Sequence, residues 1–154
     1  MRVPIVSAGS TGTYRVTGNY PGVTEVEAGS YVFMDVNYLA TVPEFPPALH
    51  LLTTVTARHE EGLLVTDMGL KTASTDQALP LIREPEGVVV AHLSEEHAQL
   101  LLESEDARQL SVGDKLKAVV GHCCTTVNLH DRLFVCEGDI VIDVWPIPGR
   151  GRSQ

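Results

Sequence analysis

The sequence predicts a mainly β domain, folded as a compact antiparallel β-barrel or sandwich with one or two short helices. Three observations carry this expectation. Runs of branched and aliphatic residues, such as GVVVAHL and RLFVCEGDIVIDVW, recur at short intervals along the chain. Gly, Pro and Asp turn signals separate them, and short connections favour antiparallel pairing because parallel strands need long crossovers. Only one segment combines helical spacing with a capping residue. At 154 residues the chain is one domain of ordinary size, long enough to bury its own core.

In chain order, Val3 to Val6 reads as a short strand running into a small-residue loop, SAGSTGT, at 7–13. YVFMDV (31–36) reads as a strand bounded by Gly29 and Ser30, with Tyr31 packed in the core. TVPEFPPALH (41–50) carries three prolines and should be extended connecting chain. LLTTVTARHE (51–60) and LLVTDMG (63–69) form a hairpin around Glu61-Gly62, with Asp67 as a turn acceptor. GVVVAHL (87–93) is another strand. The expected helix starts at Ser94, whose hydroxyl caps it, with Glu95 and Glu96 in the first turn against the positive end of the dipole. Ala98, Leu101 and Leu102 would share its apolar face. LSVGDKLKAVV (110–120) brings a turn into a strand, and RLFVCEGDIVIDVWPI (132–147) reads as strand, Gly138-Asp139 turn, strand, with Trp145 as a core anchor. Seven or eight strands result.

The formal net charge of −9, with basic residues scattered except for Arg150 and Arg152, argues against nucleic acid and anionic membrane surfaces. No stretch is long and apolar enough to span a bilayer. The opening MRVPIVSAGS lacks the apolar core of a secretory signal, so a cytoplasmic protein is expected.

The segment GHCCTTVNLHDRL (121–133) is the chemical exception in a quiet β-rich chain. On a strand over 117–127, His122 and Cys124 would point to one side and Cys123 to the other. An imidazole nitrogen and a thiolate in parallel reach one ion at roughly 2.0–2.3 Å, and two ligands leave open positions for a substrate. The same spacing also suits two half-buried side chains without a metal. A turn centred on Leu129-His130 would set Cys123 opposite Cys136, as a buried thiol pair or a disulfide. A redox sensor built on the three cysteines is a further reading, although no CxxC or basic neighbour lowers their pKa values. Asn128 or Asp131 would orient His122, and His130 would serve the turn.

The stretch from Gly121 to Arg152 resembles the C-terminal end of the D-serine dehydratase and D-threonine aldolase family, pyridoxal-phosphate enzymes of the alanine-racemase fold type. SAGSTGTY (7–14), VTEVEAGSYVFMD (23–35), VTDMGLKTASTD (65–76) and LSEEHAQL (93–100) resemble it in the same order. The resemblance implies a β-rich C-terminal domain over 31–154, preceded over 1–30 by a remnant of a TIM-like barrel. It implies a divalent metal, zinc or another, on His122 and Cys124. It also implies a cofactor-phosphate loop at Ser10, Thr11, Gly12 and Thr13, whose small residues and hydroxyls suit an anion. The family's Schiff-base lysine lies in a barrel that these residues do not include, and Lys71, Lys115 and Lys117 do not match it. Pyridoxal phosphate is therefore expected only where a barrel is supplied, by a partner chain or otherwise. The expected function is the metal-bearing part of a lyase acting on a small-molecule D-3-hydroxy amino acid, with D-serine dehydratase-like loss of the β-hydroxyl. D-threonine aldolase-like cleavage and a non-catalytic truncated binding module are the alternatives. A homodimer is expected.

Overall fold

Alternation of apolar and polar side chains from His50 onward builds a sheet that curls back on itself, while residues 3–49 form short strands, helices and turns that meet it through Asp35 and Val36. A computed structural model describes residues 3–59 and 62–152. Strand β1 (Ser7–Ala8) is followed by a 3-10 turn at Thr11–Thr13, helix α1 (Tyr14–Thr17) and strand β2 (Glu25–Val26), which pairs parallel to β1. A second 3-10 turn at Ser30–Val32 leads to helix α2 (Val36–Leu39).

Strands β3 (His50–His59), β4 (Leu63–Thr66), β5 (Leu81–Ile82), β6 (Val88–Leu93), β7 (Ala98–Leu102) and β8 (Lys115–Val119) make one sheet in the order β5-β8-β3-β4-β7-β6. Every neighbouring pair in it is antiparallel. The two edge strands β5 and β6 approach each other, so the sheet is a nearly closed barrel. Register shifts between Val55 and Ala57 on β3, and between Val90 and His92 on β6, bend the strands as closure requires. The inward residues, among them Val55, Leu64, Val90, Leu100, Leu116 and Ala118, form one buried cluster. After β8 come helix α3 (Cys123–Val127) and the hairpin β9 (Arg132–Glu137) and β10 (Ile140–Pro146), which pair only with each other. Gly138, at φ +60°, supplies the left-handed residue of their tight turn.

The expected mainly β antiparallel barrel is present, and so are the hairpin of 51–69, the strands of 87–93 and 110–120, and the strand-turn-strand of 132–147. The turn positions 60 and 61 fall outside the described residues. Several local expectations are corrected.

Residues 94–102 are not a helix: a turn leads into β7 instead. The carbonyls of Ser94 and Glu95, which a helix needs for its own ladder, accept the amides of Leu70 (2.8 Å) and Lys71 (3.0 Å). Gly69 permits that approach, since a Cβ there would lie 2.5 Å from the Glu95 carbonyl oxygen. Leu100 rather than Leu101 is buried, the period of a strand and not of a helix. The central position between β4 and β6 overrides the local helical preference.

YVFMDV is not a strand either. Met34, buried with φ +56°, reverses the chain, and Asp35 then caps α2 by accepting the Tyr38 amide at 3.2 Å. Tyr31 is exposed, with its ring tilted against Phe45 at 5.5 Å. Trp145 is exposed as well, its indole N–H donating to Asp143 at 2.8 Å, because β10 has no covering layer among the described residues. The strand at the start of the chain is Ser7–Ala8 rather than Val3 to Val6.

The last correction concerns the HCC segment. The strand ends at Val119, and Cys123 begins a helix. Cys123 does not face Cys136, which sits on β9 opposite Val141. All three cysteines are free, with Cys123 buried and the other two exposed.

Candidate metal centre

The site forms where α3 meets the loop that follows β4. CCTTV is a poor helix former, rich in β-branched residues, so its helix depends on tertiary caps. Asp35, fully buried, supplies one of them: Oδ2 accepts the Cys123 amide at 2.9 Å while Oδ1 caps α2. The Val36 amide donates to the Val120 carbonyl at 3.0 Å, just past the end of β8 and before the helix. One carboxylate thus satisfies amides at the starts of two helices.

Gly121 lets the loop of residues 69–78 lie directly on this segment. A Cβ at 121 would fall 1.9 Å from the Ala78 carbonyl oxygen, so no other residue type fits without a backbone shift. Three contacts fasten the loop to α3 and its exit. Thr126 Oγ1, buried, accepts the Ser74 amide at 3.2 Å. Thr125 Oγ1 donates to Asp76 at 2.8 Å, and His130 Nε2 lies 2.8 Å from the Thr72 carbonyl.

His122 stands in extended conformation at the helix start. Its Nδ1 lies 2.7 Å from Asp76 Oδ2, and its side chain is 16% exposed. The Asp76 carboxyl is held well below the usual carboxylate range, first by the Ser74 hydroxyl and then by His122 and Thr125. Cys124 is exposed and lines an open cleft of about 730 Å³ with Ser74, Asp76, Thr125 and Asn128. Cys123 is buried, with its sulfur 4.0 Å from that of Cys124. Burial first, and the neighbouring Asp35 carboxylate next, push its thiol up to about 12. A thiol raised that far is protonated at neutral pH in the metal-free chain.

The donor set fits a divalent cation bound by two side chains. A histidine held through Nδ1 by a carboxylate leaves Nε2 free, the usual arrangement of a metal-binding imidazole. Among the described residues no group of three or more His, Cys, Asp and Glu side chains is assembled to hold an ion. His122 and Cys124 would therefore bind with positions left over for small molecules. They are placed by a helix start and not by alternation on a strand, so the expected strand geometry does not hold.

Other expected residues fall elsewhere. Asn128 accepts the Gly151 amide at 2.7 Å and Asp131 pairs with Arg150 at 3.4 Å, so neither orients His122. Asp67 is a turn acceptor as expected, taking the Thr53 hydroxyl and the Thr54 amide, both at 2.7 Å. Glu96 pairs with Lys71 at the surface instead of capping a helix. Asp76 escaped the sequence reading, although it closes the VTDMGLKTASTD stretch; its pairing with His122 spans 46 positions and needs the fold to be seen.

Ser10, Thr11, Gly12 and Thr13 lie together at the start of the first helical turns. The Ser10 amide donates to Thr13 Oγ1 at 3.0 Å and the Thr13 amide to the Ser10 carbonyl at 3.2 Å. Thr11 Oγ1, buried, accepts the Tyr31 amide at 3.1 Å. Gly12 has Tyr38 so close that a Cβ would lie 3.1 Å from the ring. The amides of Thr11 and Gly12 open a helical turn and have no partner within it, so the loop fits a phosphate.

Comparison with known proteins bears on the family and the fold. A sequence-family model described as "Putative serine dehydratase domain" matches residues 48–136. The 3-hydroxy-D-aspartate aldolase of Paracoccus denitrificans is 36% identical over 157 residues, covering 96% of this chain and 40% of the relative. The D-threonine aldolase of an Arthrobacter species is 32% identical over 153 residues, covering 97% of this chain and 40% of that protein. Among solved structures, D-threonine aldolase from Filomicrobium marinum superposes with a TM-score of 0.90 at 29% identity, covering 98% of this chain and 43% of its own. The chain thus spans about two fifths of the length of the relatives it matches. On its barrel, on the ordered motifs along it and on these matches, the chain belongs to the serine dehydratase domain family.

Proposed function

We propose that this chain is the metal-bearing domain of a lyase acting on D-3-hydroxy amino acids, of the D-serine dehydratase-like kind. The observation that carries the reading is that Asp76, which anchors His122, and Cys124, two positions after that histidine, line the same open cleft. The relatives, both aldolases of hydroxy amino acids, and the family's dehydratase description support the substrate class.

A divalent metal, zinc or another, supplies a Lewis acid for a substrate β-hydroxyl, and pyridoxal phosphate supplies an electron sink when a barrel accompanies the domain. The chain's own residues do the rest. His122 Nε2 and the Cys124 thiolate would hold the cation, Asp76 and Thr125 fix the imidazole, and the open cleft lined by Asp76 and Cys124 would admit the amino acid. Ser10, Thr11, Gly12 and Thr13 would receive the cofactor phosphate at the amides of Thr11 and Gly12.

Residues 1–30 would be the end of that barrel, and 31–154 the domain that follows it. The parallel pairing of β1 and β2 across α1 supports this division, since it is the strand-helix-strand connection of a barrel. Lys71, Lys115 and Lys117 are engaged by Glu96, Thr54 and Asp139, so a Schiff-base lysine would come from the barrel. Exposed apolar side chains on β9 and β10, including Phe134, Ile142 and Trp145, support a covering partner. Among the described residues no helix is long and apolar enough to cross a membrane.

A second reading, retro-aldol cleavage with the metal on the same hydroxyl, is favoured by the relatives at 36% and 32% identity, both aldolases. The cysteine at position 124 favours elimination. With a barrel supplied, elimination from a D-3-hydroxy amino acid releases ammonia and a keto acid, whereas aldol cleavage releases glycine or another amino acid and a carbonyl compound. The shared claim is tested first on the chain alone. Elemental analysis should find about one divalent metal per chain, and His122→Ala with Cys124→Ala should abolish it. Equal metal content in the folded double variant would exclude the proposed centre.

A further inference from the structure

We infer that Asp76 is the positioning residue that holds His122 as its Nδ1–H tautomer and thereby decides which ring nitrogen is offered to a cation. The inference rests on the metal reading above for its purpose, but its first readout needs no metal. Both Asp76 oxygens are engaged. Oδ1 accepts the Ser74 hydroxyl at 2.6 Å and the Thr125 hydroxyl at 2.8 Å, and Oδ2 faces His122 Nδ1 at 2.7 Å.

An ionised carboxylate accepts and never donates, so the proton between Asp76 and the ring belongs to Nδ1. The second neighbour of that nitrogen enforces the same choice. Thr125 Oγ1 lies 3.2 Å from Nδ1, and with its own proton given to Asp76 it too can only accept from the ring. The lone pair is left on Nε2, which has no hydrogen-bond partner among the described residues. The loop bearing Asp76 is rigidly seated, with Gly121 under the Ala78 carbonyl and the Ser74 amide on buried Thr126. The ring therefore keeps its orientation before any cation arrives.

Asp76→Asn discriminates sharply. The two hydroxyl donors retain the side-chain oxygen at the Oδ1 position, which turns the amide NH2 toward His122. Nδ1 must then accept, and the proton moves to Nε2, where it blocks the cation. The experiment is a long-range nitrogen-proton correlation spectrum of 15N-histidine protein freed of metal, at a pH where the ring is neutral, followed by zinc titration. The parent chain should show a protonated Nδ1 and an unprotonated Nε2 at His122. D76N should invert that pattern, keep its thermal midpoint close to the parent's, and bind zinc about 10–100-fold more weakly. Asp76→Glu should retain the parent pattern.

A parent ring protonated at Nε2, or a D76N ring unchanged from the parent, overturns the inference. Should D76N fail to fold, the parent spectrum alone decides. A parent chain with the expected tautomer that takes up no zinc would sink the metal reading and leave the Asp76 assignment standing.

Discussion

Adjacent cysteines in one short helix have opposite chemical fates, because the Asp35 carboxylate and the barrel wall reach only the first of them. Cys123 is buried and its thiol is pushed up to about 12, whereas Cys124 and Cys136 are exposed. Alkylation follows thiolate and access together. Iodoacetamide applied to the native chain at mildly alkaline pH should therefore add two groups by intact mass, on Cys124 and Cys136, with the third appearing only in denaturant. Rapid triple labelling would contradict the burial of Cys123. Bound zinc should slow labelling of Cys124 but not of Cys136, because Cys124 lines the cleft with Asp76, the partner of His122, whereas Cys136 sits on β9.

The β3–β4 hairpin shows how one side chain can tie an element together. Asp67 lies just past β4 and accepts from Thr53 and Thr54 on β3, at the point where the strand register shifts. Partial burial acts to raise its pKa, but the Thr54 amide and Thr53 hydroxyl bonds outweigh it and hold the carboxyl below its ordinary value. A depressed folded-state pKa gives stability that is complete above the unfolded value of about 3.9 and is lost as pH falls through the folded one. Asp67→Asn should accordingly unfold at lower urea than the parent at neutral pH, with the gap closing progressively below pH ~4. A gap independent of pH would show that the charge plays no part.

At the scale of the molecule, the nearly closed barrel supplies the rigid body on which the site is mounted. Leu100 on β7 and Leu64 on β4 pair across the sheet, both fully buried. Leu100→Ala should cost about 2–5 kcal/mol in urea unfolding, the range for a buried leucine whose cavity cannot collapse. The His122–Asp76 geometry should survive that loss in the folded fraction, since the contacts holding it are made by α3 and the 69–78 loop. The barrel core and the apolar surface differ in what they need. The core is complete within the described residues, while the β9–β10 hairpin is apolar and exposed on the outside.

The sequence by itself determined the β class, the hairpins, the turn at Gly138, and the residue types His122 and Cys124. Period-two alternation and turn chemistry are local and leave a local mark. It also placed SAGSTGT and the VTDMGLKTASTD stretch in the right order for the family. Tertiary structure alone decided that residues 98–102 are a strand, because Ser94 and Glu95 give their carbonyls to Leu70 and Lys71. It alone turned the HCC segment from strand to helix, because Asp35, 88 positions away, caps it. It alone brought Asp76 to His122. Each of these outcomes rests on a hydrogen bond between residues far apart in the chain, which no local pattern can encode.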